Sequence, residues 1–324
     1  MNNQTIIPPT FVLDEYYYSI SAILTIGIQL ACYAVAATCK FDLITDFAGS
    51  TNFVVLSVLT LVLGNNFGSR GIAITVLVLF TRLYLAFFLL FRVCKRKKDA
   101  RFDEVRGNCI AFLVFWVFQM FWVFLCMMPV LYINSRGQQE DALTPLGYWD
   151  YVGWAIFAIG IIIQVTADYQ KYFFRKNPEN KGQFMATGVW GYSRHPNYFG
   201  EILIWWGAFL CAIPVIPFGQ GTSGQIAAGI VTILSPLFTM FILILGSGKY
   251  SRRSSRNVAV IIVRIVFISS FFFCCLLLNH SFPTNPNSIT NCFKLFSLLQ
   301  LTTTLLLRRF LIFEQVYHKQ KARI

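Results

Sequence analysis

Long apolar runs recur along nearly the whole chain, and they constrain the fold more than any other feature. Ser19–Ala37, Gly71–Val93, Cys109–Ile133, Tyr198–Phe218, Ile226–Leu245, Val258–Leu278 and Phe293–Phe313 are each about 20 residues or more, the length a helix needs to cross the hydrocarbon core of a bilayer. Val152–Thr166 is shorter. Phe53–Leu63 is short enough to be a half-span or a re-entrant segment. Lipid offers the backbone no hydrogen bonds, so segments inside it must satisfy their own N–H and C=O groups as helices. The sequence therefore predicts an all-α, polytopic transmembrane bundle of about 7–9 spans.

Composition agrees. Of 324 residues, 56% are apolar and only 13% charged, against about 25% charged in a soluble domain. This excludes an ordinary cytosolic enzyme and a disordered chain. The formal charge of +13 does not point to nucleic acid, because the basic residues cluster between apolar runs. Seven lie between Arg92 and Arg106, others at Lys171, Arg175, Lys176, Lys181 and Arg194, and a third group at Lys249, Arg252, Arg253 and Arg256. If every span crosses, these three loops share one side. The opposite loops carry little beyond Arg70 and Arg136, so the positive-inside rule places the basic side in the cytoplasm and the N-terminus away from it. The nine cysteines form no CxxC pair and lie mostly within apolar runs, so neither a disulfide framework nor a zinc site is indicated. The N-terminus lacks the basic region of a cleaved signal peptide. The polar linker Asn134–Asp150 divides the chain into halves.

The stretch from Asp168 to Trp206 combines a polar cytoplasmic loop with the start of an apolar span. Asp168, Lys171 and Arg175 are spaced to share one helical face, either a solvated stub or part of a site. In YSRHPNYFGE, Pro196 suits a first helical position and His195 the cap before it. A helix beginning there presents free N–H groups and a positive dipole to an anion. Arg194, and more remotely Arg175 and Lys181, add full charges, so the segment reads as a phosphate-binding mouth. Asn197 and Glu201 share a face of the same helix. A carboxylate at the start of an apolar span is costly and marks a functional candidate, the alternative being a Glu among the headgroups. His195 stands alone with no ligand set around it, so it reads as a hydrogen-bonding residue or a structural cap, not a metal ligand. The other polar concentration, KFDLITDFAGSTNF (residues 40–53), reads as an interhelical loop carrying Asp46 or as a lid over the substrate.

At these residues the chain resembles the DUF1295 group of the steroid 5-alpha-reductase C-terminal domain superfamily. GVWGYSRHPNYFGE, preceded by KNPENKG and followed by WWG, carries the resemblance, and TDFAGSTNF and RFDEVRGN extend it over roughly residues 41–246. The resemblance implies a reductase of the endoplasmic reticulum membrane that uses NADPH to reduce a C=C bond in a steroid-like or other lipid, among membrane lipids as its surroundings. It implies that Tyr192, Asn197 and Glu201 line the nicotinamide side, with Glu201 and Tyr192 as catalytic candidates. Lys171, Arg175, Asn177, Lys181, Arg194, His195 and Tyr198 would ring the ribose and phosphates. The lipid would enter laterally and the cofactor from the cytoplasm. In the steroid reductases proper a Glu and a Tyr of the N-terminal half hold the ketone. Here no carboxylate lies in the second or third run, and Asp46, Tyr84 and Arg82 are the available substitutes.

The chain thus divides into N-terminal helices on the substrate side (1–140), a reductase-like domain with the cofactor pocket (141–246) and an atypical segment (247–324). That last segment lacks the family's GIPLLE-like continuation and its basic, Tyr- and Pro-rich tail, and its Phe-, Leu-, Ser- and Asn-rich composition reads like translated non-coding sequence. Loss of such a tail would weaken cofactor binding. A looser RHPxYxG version of the motif occurs in isoprenylcysteine and phospholipid methyltransferases, so an S-adenosylmethionine-dependent methyltransferase is the first alternative. A non-catalytic or inactive membrane protein is the second.

Overall fold

The structure is a computed structural model, which describes residues 13–39, 44–96, 108–136, 144–218 and 221–247. Helices α1 (Tyr18–Cys39), α2 (Ile44–Leu63), α3 (Ser69–Arg96), α4 (Cys109–Ser135) and α5 (Tyr148–Lys176) come first. They are followed by the short α6 (Val189–Tyr192), then α7 (Pro196–Ala212), α8 (Ser223–Val231) and α9 (Leu234–Ser247). There is no strand among the described residues. Seven helical segments are long and apolar enough to cross a membrane, α8 and α9 together making the seventh. The predicted spans Val258–Leu278 and Phe293–Phe313 lie outside the described residues.

The burial pattern is that of a protein dissolved in lipid. On α1 the buried stripe is Ser21, Thr25, Gln29 and Ala36, while Ile23, Ile26 and Leu30 face outward. On α3, Val76, Phe80 and Phe87 face outward while Thr75, Thr81 and Arg82 are buried. A bilayer rewards this arrangement: apolar side chains meet acyl chains, and polar ones turn to the bundle interior. These helices make the chain an integral membrane protein.

One expectation is corrected. The second span is a complete helix from Ile44, not a half-span beginning at Phe53. Asp46 therefore sits in the first turn of α2 and not in an interhelical loop. The turn-forming residues that suggested a loop, Gly49, Ser50 and Asn52, are buried against neighbouring helices. Their low hydropathy reflects packing inside the bundle. Gly49 is one such contact, since a Cβ there would lie 3.2 Å from Cδ of Gln119, which itself donates to the carbonyl of Thr45 at 2.9 Å.

Helices α5 and α7 form the tightest pair, and small residues make it possible. Gly160 meets Gly200 and Gly153 meets Gly207, one pair a heptad from the other along antiparallel helices. A Cβ on Gly200 would stand 2.7 Å from the carbonyl oxygen of Gly160 and 2.8 Å from the amide nitrogen of Gln164. This contact fixes which residues of α7 face which residues of α5.

At the end of the bundle where α3 and α5 begin, Arg70 and Asp150 form a fully buried ion pair. Arg70 Nε donates to Oδ1 at 2.7 Å and Nη2 to Oδ2 at 2.9 Å, while Nη1 and Nη2 reach Oγ1 and the carbonyl of Thr144. The pair ties the two poorly charged loops to the same end, as the loop-charge argument requires. At the other end α5 continues beyond its apolar run. Its 29 residues span ~43 Å at 1.5 Å per residue, more than the ~30 Å core, so its last turns emerge with Lys171 and Arg175. Helices from 1–140 and 141–246 belong to one packed unit, residues 1–217 and 222–250; the second unit, 218–221 and 251–324, lies almost wholly outside the described residues.

Candidate functional site

Helix α7 begins where the sequence predicts. His195 is the N-cap and Pro196 the first helical residue; the imidazole makes no capping hydrogen bond and stacks on Tyr198 at 4.8 Å. Two turns tie this start to α5. Gly188, at φ +60°, allows the Val189 amide to donate to Gln170 Oε1 at 3.0 Å; a Cβ at that φ would be strained and would meet Gln170. Trp190 Nε1 donates to the Ala167 carbonyl at 2.9 Å. The ring of Trp190 lies 4.4 Å beneath Lys171 Nζ, and Phe184 packs under the Arg194 guanidinium. The result is a rim of cations held on aromatic faces. Burial, and then Lys171 and Arg194, hold the His195 pKa below its ordinary value, so at neutral pH the imidazole is neutral.

Below the rim, Asn197 lies in the first turn of α7 with its Oδ1 buried and unpartnered. Glu201 follows one turn on, 6% exposed. Its carboxylate is saturated. Arg82 Nη2, from α3, lies 2.9 Å from Oε1 and 3.0 Å from Oε2. Trp205 Nε1 donates to Oε1 at 2.9 Å and Gln164 Nε2, from α5, to Oε2 at 2.8 Å. Four donor contacts occupy the roughly four lone-pair sites of a carboxylate. Arg82 is itself 1% exposed. Its guanidinium carbon stands 5.0 Å from the Phe53 ring of α2 and 5.2 Å from Trp205, and Trp122 of α4 packs edge-on against Phe53 at 5.1 Å. Five helices thus converge on one buried charge pair.

The predicted residues separate into three levels. Glu201 is buried, Asn197 is half-buried with its Oδ1 turned inside, and Lys171, Arg194, His195 and Tyr198 form the half-buried rim. Arg175, Asn177 and Lys181 are exposed beyond it, and Asn177 accepts from the Glu179 amide as the cap of a short turn. Tyr192 is 94% exposed and has no contact with Glu201. Asp46 is half-buried in the first turn of α2, about two helical turns before Phe53 and so away from the charge pair. Tyr84 stacks on Phe88 at 5.8 Å with its hydroxyl buried and unpartnered; Asp168 is its charged neighbour. Sequence reasoning missed Gln164, Trp205 and Phe53, and gave Arg82 only a substitute's place. A signal was present: Arg82 in the middle of the third apolar run, ten residues before Arg92 at its end, and Glu201 in the sixth run are opposite charges in lipid, where each needs the other. Among the described residues no three His, Cys, Asp or Glu side chains gather as a metal site requires.

The family model described as "Protein of unknown function (DUF1295)" matches residues 32–258. An uncharacterized protein of Schizosaccharomyces pombe is 29% identical over 112 residues, 29% of this chain and 31% of that one. A probable O-methyltransferase of Ustilaginoidea virens is 39% identical over 46 residues, 14% of this chain and 16% of its own length. The delta(14)-sterol reductase of Arabidopsis thaliana is 32% identical over 59 residues, 15% and 16% of the two chains. The chain therefore spans under a third of the length of each of these relatives. No solved structure matches it.

Proposed function

This chain belongs to the DUF1295 family, and from that premise we propose that it is a membrane oxidoreductase that reduces a C=C bond of a steroid-like or other lipid with NADPH. The observation that carries the reading is the layered site along α7. A cationic, aromatic rim lies outermost, an unpartnered buried amide oxygen lies one turn in, and a locked ion pair lies a further turn in. The similarity to a sterol reductase supports it.

The residues fit such a nucleotide. Lys171 and Arg194, with Arg175 and Lys181 further out, match a polyanionic tail; His195, Tyr198 and Asn177 are placed for the riboses. Asn197 Oδ1 offers an acceptor to a carboxamide at the reactive end. When bound, NADPH supplies a hydride. The chain's own part is to hold the two reactants together, keep water out with Phe53, Trp122 and Trp205, and stabilise charge that develops on the lipid. The site faces the cytoplasm by the loop-charge argument, and the endoplasmic reticulum is the membrane this reading implies.

The similarity to a probable O-methyltransferase favours a second reading, transfer of a methyl group from S-adenosylmethionine. That cofactor carries a sulfonium cation, which Lys171 and Arg194 of the rim, with Arg175 and Lys181 beyond it, repel, whereas they attract NADPH. Titration of the purified full chain with each cofactor separates the two. NADPH binding that falls about tenfold in Arg194→Ala, with the melting temperature unchanged, is the expected result, an amount that one charge-assisted hydrogen bond accounts for. Binding of S-adenosylmethionine with none of NADPH refutes the reductase.

A further inference from the structure

We propose that Arg82 is the residue that docks a carbonyl oxygen of the lipid substrate, and that Glu201 serves to position Arg82. Two arginines buried in the bundle, Arg70 and Arg82, carry the argument. Every nitrogen of the Arg70 guanidinium donates to Asp150 or Thr144, so Arg70 is complete within the protein. Arg82 is equally buried, yet only Nη2 has an acceptor; Nε and Nη1 have none. Unmet donors on a buried cation are costly, and a fold that completes one arginine and leaves the other open reserves the second for a partner.

The chemistry of that partner follows from its surroundings. Glu201 already neutralises Arg82, so an incoming carboxylate would add an uncompensated buried charge, whereas a neutral carbonyl would not. A carbonyl oxygen has two lone pairs and can accept from a guanidinium edge. Phe53 and Trp205 flank the guanidinium carbon at 5.0 and 5.2 Å, leaving N–H groups at the edge for an apolar molecule that carries one oxygen. Glu201 itself offers the substrate no free acceptor, its two oxygens being held by Arg82, Trp205 and Gln164. A ketone, and above all the carbonyl of a conjugated enone, meets these requirements, and Arg82 would stabilise negative charge growing on that oxygen. The choice of an enone rests on the reductase reading; the docking of a carbonyl at Arg82 does not need NADPH.

The test uses the full chain in detergent micelles without NADPH. Binding of cholest-4-en-3-one is followed by quenching of tryptophan fluorescence, and cholest-4-ene, which lacks the oxygen, is the competitor. Saturable enone binding is expected, with cholest-4-ene at least about tenfold weaker. Arg82→Lys, which keeps a cation for Glu201 but loses the guanidinium edge, weakens the enone about 10- to 100-fold and leaves cholest-4-ene unchanged. If Arg82→Lys does not fold, the neutral pair Arg82→Gln with Glu201→Gln gives the same readout. Glu201→Gln alone lowers the preference for enone over alkene, where a merely structural role would lower both affinities together. Absence of enone binding in the wild type, equal binding of the two lipids, or unchanged enone affinity in both Arg82 variants overturns the proposal. NADPH oxidation is measured separately. Turnover with Arg82-independent binding sinks only the docking role, and Arg82-dependent binding without turnover sinks only the reductase.

Discussion

Changing Glu201 to glutamine removes one charge from the centre of the bundle and strands the other. Arg82 then remains a buried cation, 1% exposed, between two aromatic rings. Breaking a buried pair from one side costs about 3–5 kcal/mol. Arg82→Met costs a similar amount, because Glu201 keeps Trp205 and Gln164 as donors but loses its counter-charge. The double variant should behave differently. The amide that replaces the Glu201 carboxylate can accept from Trp205 and donate to Gln164, methionine fills the space of the arginine stem, and the unmet Nε and Nη1 donors vanish. Its expected cost is about 0–1.5 kcal/mol, giving a coupling of several kcal/mol between residues 119 positions apart in sequence. Thermal unfolding in mild detergent, followed by tryptophan fluorescence, reads this out. At roughly 2–4 °C per kcal/mol for a chain of this size, each single variant should melt about 6–20 °C below the wild type and the double variant within about 6 °C of it. A double variant that loses the sum of the singles would refute the buried-pair argument.

Other outcomes follow from the same geometry. Gly200→Val places side-chain carbon against the Gly160 carbonyl and the Gln164 amide, so it should destabilise by about 1–3 kcal/mol or more and displace Gln164 from Glu201; thermal unfolding and NADPH titration together check both effects. Asp150→Asn should cost about 3–5 kcal/mol in stability while NADPH affinity per folded molecule stays unchanged, because the Arg70 pair lies at the other end of the bundle; a changed affinity would show that the two ends are coupled. His195 has a folded-state pKa below its ordinary 6.5, through burial first and then Lys171 and Arg194. As pH falls through 6.5 the unfolded chain takes up that proton before the folded one, so this group's contribution is complete above 6.5 and is lost below it. Unfolding measured from about pH 5 to 7.5 should decline less steeply in His195→Gln than in the wild type, and parallel curves would count against a neutral His195.

Sequence alone determined the solvent, the helices and the start of the site. Apolar runs of bilayer length leave a chain in lipid no alternative to helices, so α1, α3 and α4 were legible almost to their ends, while for α7, which stops at Ala212 short of the apolar run's end at Phe218, Pro196 with His195 announced the start by local backbone geometry. Hydropathy misled at α2, because Gly49, Ser50 and Asn52 look like loop residues until neighbouring helices bury them. Only the tertiary structure decided which charges meet. The contact of Gly160 with Gly200 sets the register of α5 against α7, and that register brings Gln164 to Glu201; α3 then supplies Arg82 from a distant part of the chain. Helix formation is written in residues a few positions apart, whereas the filling of the Glu201 carboxylate and the open edge of Arg82 depend on how separate helices pack, which no local pattern encodes.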